Sequence, residues 1–230
     1  MQAVLDNFDL YLKAFGYTVA LFIVAGILSM LLGTALAACR VGPVSILRKA
    51  TAVYVTVTRN TPLVIIFATF SFMAPMLWSH LNFKWVEVSI GEFDFSPFFA
   101  AAVVSLTLYT SSFVCEALRS GVNAVPVGQA EAARAIGLPF AGVMRQVVLP
   151  QAFRASVPPL ASVQIALIKN TSVAAVFGIA EATSRMRSFN NDFGSQRTEI
   201  FIAFAIGYIV IVELFSFGAS RLERRWRVAR

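Results

Sequence analysis

Between Lys13 and Arg40 the chain carries no charged residue, and most of that stretch is aliphatic or aromatic. An apolar helix of about 20 residues rises about 30 Å, the thickness of the hydrocarbon core of a bilayer. Four more such runs follow, which gives five expected spans at 17–38, 53–78, 97–115, 158–179 and 200–220. Arg59, Asn60 and Pro62 interrupt the second. Composition agrees, because the chain is 58% hydrophobic and only 13% charged, with mean hydropathy +0.74, against about 25% charged residues in a soluble domain. The expected fold class is therefore an all-α integral membrane protein, one transmembrane domain over 1–230. Asp6 and Asp9 precede the first run and no small-residue cleavage pattern follows, so that run is expected to stay as a span.

Five spans put the termini on opposite sides, and lysine and arginine mark the cytoplasmic one. One side collects Arg40, Arg48, Lys49, Arg119, Arg134, Arg145, Arg154 and the five arginines from Arg221 to Arg230; the other collects Lys13, Lys84, Arg185, Arg187 and Arg197. Twelve against five places the amino terminus outside and the carboxyl terminus in the cytoplasm. Trp78, Trp85 and Trp226 fall near span ends, where amphipathic rings anchor at the interface, and the arginine-rich tail reads as an anchor to membrane lipid. The outer loop alternates polar and apolar residues around Gly91, the pattern of a small hairpin.

Several function classes are excluded. The net charge of +7 is distributed as punctuation between apolar runs, unlike the continuous basic face of a nucleic-acid binder. Cys39 and Cys115 read as two packed thiols, and His80 is the only histidine, so neither a His-rich metal site nor a Ser-His-Asp triad can be assembled, and no metal or cofactor is expected. None of the four lysines follows glycine, which rules out a phosphate-binding P-loop.

The loop from 116 to 157, on the expected cytoplasmic side, carries the strongest pattern. Pro126 and Gly137 bracket a helix containing Gln129 to Ile136, with Glu131 and Arg134 at i, i+3. A second helix is expected from Pro139, with Phe140, Val143, Met144 and Val147 on one face and Pro150 as its stop. Such a pair can lie on headgroups, pack on its own spans, or fill a groove on a partner protein. The small alanines beside Glu131 favour the groove.

Glu131, Ala132, Ala133, Gly137, Val147, Leu149 and Pro150 stand at the spacing of the EAA loop of bacterial ABC importer permeases, with Val147 where isoleucine is usual. Arg59-Asn60-Thr61-Pro62-Leu63, Glu116 with Arg119, and Lys169-Asn170-Thr171-Ser172 resemble the polar amino-acid branch of that family, with Asn60 where glycine is usual. The resemblance implies a type I importer permease fold with no catalytic residue of its own. It implies that Glu131, Ala132, Ala133, Gly137, Phe140, Leu149 and Pro150 couple to a cytoplasmic ABC ATPase dimer. A second permease copy or similar chain would complete the pore, and an extracytoplasmic substrate-binding protein would deliver the solute.

Charge inside a bilayer costs about 2.5 to 3.5 kcal/mol on insertion scales, so each intramembrane charge needs a reason. Lys169 falls near the middle of the fourth expected span, followed by Asn170, Thr171 and Ser172; with Arg59 and Thr61 these residues form the expected substrate path. The alternative is that Lys169 pairs with Glu213 or Glu116 to hold helices together. Pro62 is expected to kink the second span, and Gly26 and Gly33 to allow close helix contact. Glutamate would suit Arg185, Arg187 and Arg197 on the outer side, although an acidic delivery protein or headgroups would suit them equally. An ion-coupled secondary transporter is the competing class, and it would need an internal repeat that five spans do not supply.

Overall fold

The computed structural model describes residues 2–78, 82, 83, 86–91 and 93–226, with Trp226 described by its backbone alone. Among the sequence expectations, His80, Lys84, Trp85, Arg227, Arg230 and the side chain of Trp226 lie outside the described residues. A short α1 (Gln2–Asp6) leads into α2 (Phe8–Val41), and a turn at Gly42 leads into α3 (Ser45–Asn60). Next come α4 (Leu63–Ala68), a π-helical turn (Thr69–Met73) and α5 (Ala74–Leu77). Strands β1 (Val88–Ile90) and β2 (Phe93–Phe95) pair antiparallel, with Val88 opposite Phe95 and Gly91 at φ +61 in the turn, as the alternation implied. Then follow α6 (Pro97–Asn123), α7 (Val127–Ala135), α8 (Phe140–Val143), α9 (Leu149–Asn170), α10 (Ala182–Asp192) and α11 (Arg197–Trp226).

Among the described residues, four helical stretches are long and apolar enough to cross a membrane: Phe8–Val41, Pro97–Asn123, Phe140–Phe177 and Gly194–Arg225. The bent pair Ser45–Asn60 and Leu63–Leu77 makes a fifth if counted as one. Pro62 does more than the expected kink, since the two helices turn by 104° across it. The reason is local. Proline forces the residue before it out of helical geometry, and Thr61 is extended at φ −94, ψ 127. Its hydroxyl then donates back to the Val57 carbonyl at 2.8 Å, giving that helix end a cap.

Pro150, in contrast, does not stop its helix. A π-helical turn at Met144–Val148 sits immediately before it, so α8, the turn and α9 run on as one helical stretch. Proline lacks an amide proton but is tolerated in a first turn, and the wider π turn accommodates its ring. The Gln151 side chain donates to the Val147 carbonyl at 2.9 Å. The 38 residues of Phe140–Phe177 exceed the ~20 needed to cross a bilayer, so one end of this stretch stands beyond the hydrocarbon.

Helix α6 is the middle of the fold, packed along α2 on one side and α9 on the other. Gly33 makes the first contact possible, because a Cβ there would stand 2.5 Å from Val114 Cβ. The main core gathers Leu21, Phe67, Leu106, Leu167 and Phe177, and the Phe67 and Phe177 rings stack at 5.2 Å. A second core joins Phe15, Phe189, Ile200 and Phe204 of α2, α10 and α11.

Candidate functional site

Two regions concentrate function-bearing geometry: the α7–α8 turn and the cavities beside α6 and α9. Helix α7 ends in a Schellman turn, in which the amide of Gly137 donates to the Arg134 carbonyl at 2.9 Å and that of Leu138 to the Ala133 carbonyl at 3.1 Å. Gly137 sits at φ +89 with open space around it, a conformation in which a side chain is strained. Ala133 and Val143 are buried against Val122, Leu138 and Val147, so one face of the pair packs on its own protein. The other face is open: Val127, Ile136 and Phe140 are 71%, 81% and 58% exposed, and Glu131, Ala132, Gly137, Leu149 and Pro150 are exposed as well. Phe140 thus leaves the stripe that the sequence had assigned it with Val143. The pair is braced by Gln151, whose amide donates to Gln129 Oε1 of α7 at 2.5 Å.

The residues expected to form one substrate path are divided among three places. Lys169 and Ser172 line a cavity of ≈ 370 Å³ with Tyr208 and Glu213 of α11. Asn170 faces the other way, into a cavity of ≈ 360 Å³ with Tyr109, Thr110, Phe113 and Ser162. Thr171 is buried and donates to the Ile168 carbonyl at 2.7 Å. Arg59 belongs to a third cavity of ≈ 400 Å³ with Arg40, Glu116 and Arg119, while the Thr61 hydroxyl is bound to its own helix. Lys169 also lies in the last turn of α9, well past the middle of Phe140–Phe177, because that stretch begins earlier than the sequence suggested. It does not pair with Glu116, whose two oxygens lie 3.2 Å from Arg40 Nη2 and 3.2 Å from Arg119 Nη1. Among the described residues Lys169 shares a cavity with Glu213 without forming an ion pair.

The sequence reading missed a polar node at the turn after Phe177. Glu181 is fully buried and caps α10, accepting from the amides of Thr183 at 3.0 Å and Ser184 at 2.9 Å. Its Oε2 also accepts from the Tyr208 hydroxyl of α11 at 2.9 Å. The Ala182 amide donates to Thr18 Oγ1 of α2 at 3.1 Å, so three helices meet there. Burial pushes the Glu181 carboxyl above the ordinary carboxylate range, against the opposing pull of these donors. The available signal was an acid directly before Ala182-Thr183-Ser184, a helix N-cap pattern. The partners, distant in sequence, left none.

The inner membrane component of binding-protein-dependent transport systems, as a family model, matches residues 29–228. The chain belongs to this family. The permease is 40% identical over 219 residues, 94% of each chain, to a glutamate transport system permease protein of Corynebacterium efficiens. It is 31% identical over 216 residues to a glutamate/aspartate import permease protein of Escherichia coli K12, covering 94% of this chain and 87% of the relative. Among solved structures, an amino acid ABC transporter crystallised with histidines superposes with TM-score 0.83 at 26% identity, covering 97% of both chains. The MetNI methionine ABC transporter, at 20% identity and TM-score 0.73 over 97% of this chain and 99% of that one, shares the fold. The permease therefore has the type I ABC permease fold and is a multi-pass component of the inner membrane.

Proposed function

We propose that this permease forms half of the pore of an ATP-driven importer for an acidic amino acid, glutamate above all. Its relatives in Corynebacterium and Escherichia coli carry that substrate in their names, and a cavity in which three arginines face a single carboxylate suits a net-negative solute. In this reading the chain crosses the membrane five times, amino terminus outside and carboxyl terminus in the cytoplasm. The 116–157 segment then faces the cytoplasm and docks into an ATPase dimer that alone hydrolyses ATP. A second permease copy or similar chain closes the path, and an outer binding protein delivers the solute. Asn170, with Lys169 and Ser172 on the opposite side of α9, lines parts of the route, and Arg59 stands on its inner side; Thr61 and Thr171 shape the helices.

The observation that carries this reading is the open apolar face of α7 and α8. Val127, Ile136 and Phe140 project from a rigid turn at the end of a helical stretch too long for the bilayer, which is how a knob that transmits motion is built. Gly137→Asp tests it by straining the left-handed turn and placing a carboxylate among these side chains. Co-expressed with the ATPase encoded beside it and solubilised in mild detergent, the wild-type permease should retain the ATPase, and the variant should insert normally yet retain less than about a tenth as much. Equal retention by both would sink the coupling assignment.

A further inference from the structure

A cluster of unbalanced charge lies where α2, α3 and α6 meet. Arg40, Arg59 and Arg119 line the ≈ 400 Å³ cavity, with Glu116 as its single acid. Glu116 bridges Arg40 and Arg119, but one carboxylate cannot neutralise three guanidiniums, and two formal positive charges remain. Arg59 is held instead by a ring, its guanidinium carbon 5.1 Å from the Phe113 centroid, a contact that orients a cation without discharging it. Arg40 Nη1 is buried with no acceptor among the described residues. Arginine forks of this kind match a carboxylate's two oxygens.

Phe113 also lines the cavity of Tyr109, Thr110 and Asn170. Tyr109, Thr110, Phe113 and Glu116 fall at i, i+1, i+4 and i+7, one face of α6, and the Tyr109 and Phe113 rings touch at 5.0 Å. The two cavities are therefore consecutive stations along a single helix face, with one aromatic ring between them.

We propose that the Arg40–Arg59–Arg119 cluster is a second, inner-side binding station of the pathway, which takes the carboxylate of an anionic amino acid after it passes Phe113. The proposal rests on the amino-acid importer reading above, and it adds a selection step. A net-negative solute gains from the excess positive charge, whereas a zwitterion of zero net charge gains little. Because the station faces the cytoplasm, solute accumulated there should occupy it and slow further release.

The complex of permease, ATPase and binding protein, reconstituted in proteoliposomes with ATP inside, tests this by uptake of labelled glutamate against increasing unlabelled glutamate in the lumen. Luminal glutamate should inhibit uptake while luminal glutamine does not, and Arg59→Gln should raise the half-inhibitory glutamate concentration about ten-fold, the effect of losing one charge-assisted contact. Arg59→Lys, which keeps the charge, should stay within about three-fold of wild type. Equal inhibition of wild type and Arg59→Gln, or equal potency of glutamine and glutamate, would overturn the proposal. If instead inhibition is absent and replacing phosphatidylcholine by phosphatidylglycerol changes the wild type but not Arg59→Gln, the cluster holds a lipid phosphate and the proposal also fails. A complex that takes up no amino acid at all would refute the importer reading itself, and normal uptake with an indifferent cluster would refute only the station.

Discussion

Two carboxylates, one partly exposed and one buried, hold this fold together in opposite ways. Glu116 is met by charge, with Arg40 and Arg119 each at 3.2 Å and its side chain still 24% exposed. Among the described residues Glu181 is met by neutral donors, chiefly two amides and a tyrosine hydroxyl, and is fully buried. A carboxylate held between two guanidiniums at a partly exposed site can give up one partner to a passing anion. A carboxylate wrapped in fixed dipoles cannot exchange its partners without opening the turn. The first arrangement suits a station on a path, and the second suits a joint that must not move.

The largest break in this comparison is Glu181→Ala, which leaves the amides of Thr183 and Ser184 and the Tyr208 hydroxyl without their acceptor. Each buried donor stranded costs about 1–3 kcal/mol, so the loss should reach about 3 kcal/mol or more in reversible unfolding of the permease in mixed micelles. Glu116→Ala should cost less, about 2 kcal/mol, since Arg119 can turn to solvent and only Arg40 is left deeply placed. Salt separates the two. Raising ionic strength should narrow the gap between wild type and Glu116→Ala and leave the Glu181→Ala gap unchanged; a salt-independent Glu116 effect would remove the distinction.

The sequence disclosed these regions unequally, for physical reasons. Helices at 17–38, 97–115 and 200–220 were legible because a span stays apolar whether its faces meet lipid or, as in α6, neighbouring helices, and each proved longer than expected once polar ends such as Arg40 and Glu199 were included in the helix. The Gly137 turn was legible because a left-handed residue after a helix announces itself as glycine. Pro150 misled, since whether proline ends a helix depends on the turn before it, and the π turn at Met144–Val148 has no simple sequence mark. The placement of the expected path residues was not legible for a different reason. Lys169, Asn170, Thr171 and Ser172 are adjacent in sequence, but neighbours on a helix point about 100° apart, so adjacency separated them into different cavities. Arg59 meets Arg40 and Arg119 only because α3 packs against α2 and α6, a tertiary contact with no local sequence mark.

The smallest expected effect gives the finest discrimination. Tyr208→Phe removes one neutral donor from Glu181 while keeping the ring, so the cost should be about 1 kcal/mol. Its pH dependence carries more information than its size. Glu181 has a raised carboxyl pKa in the fold, so the folded state binds its proton more readily than the unfolded one. Stability from this group is therefore highest below about pH 4.3, the unfolded glutamate value, and declines as pH rises until the raised folded value is passed. Glu181→Gln should flatten that decline. Tyr208→Phe should do the reverse, because the tyrosine hydroxyl favours the ionised carboxylate, and its loss pushes the folded pKa further up and extends the decline, so its penalty should be larger at pH 8 than at pH 5. Unfolding measured at these two pH values decides the matter: a Tyr208→Phe penalty larger at pH 8 than at pH 5 identifies the hydroxyl as a donor to the carboxylate. An equal penalty at both would mean that the phenol serves only Thr183, and the contrast with Glu116 would then rest on the backbone amides alone.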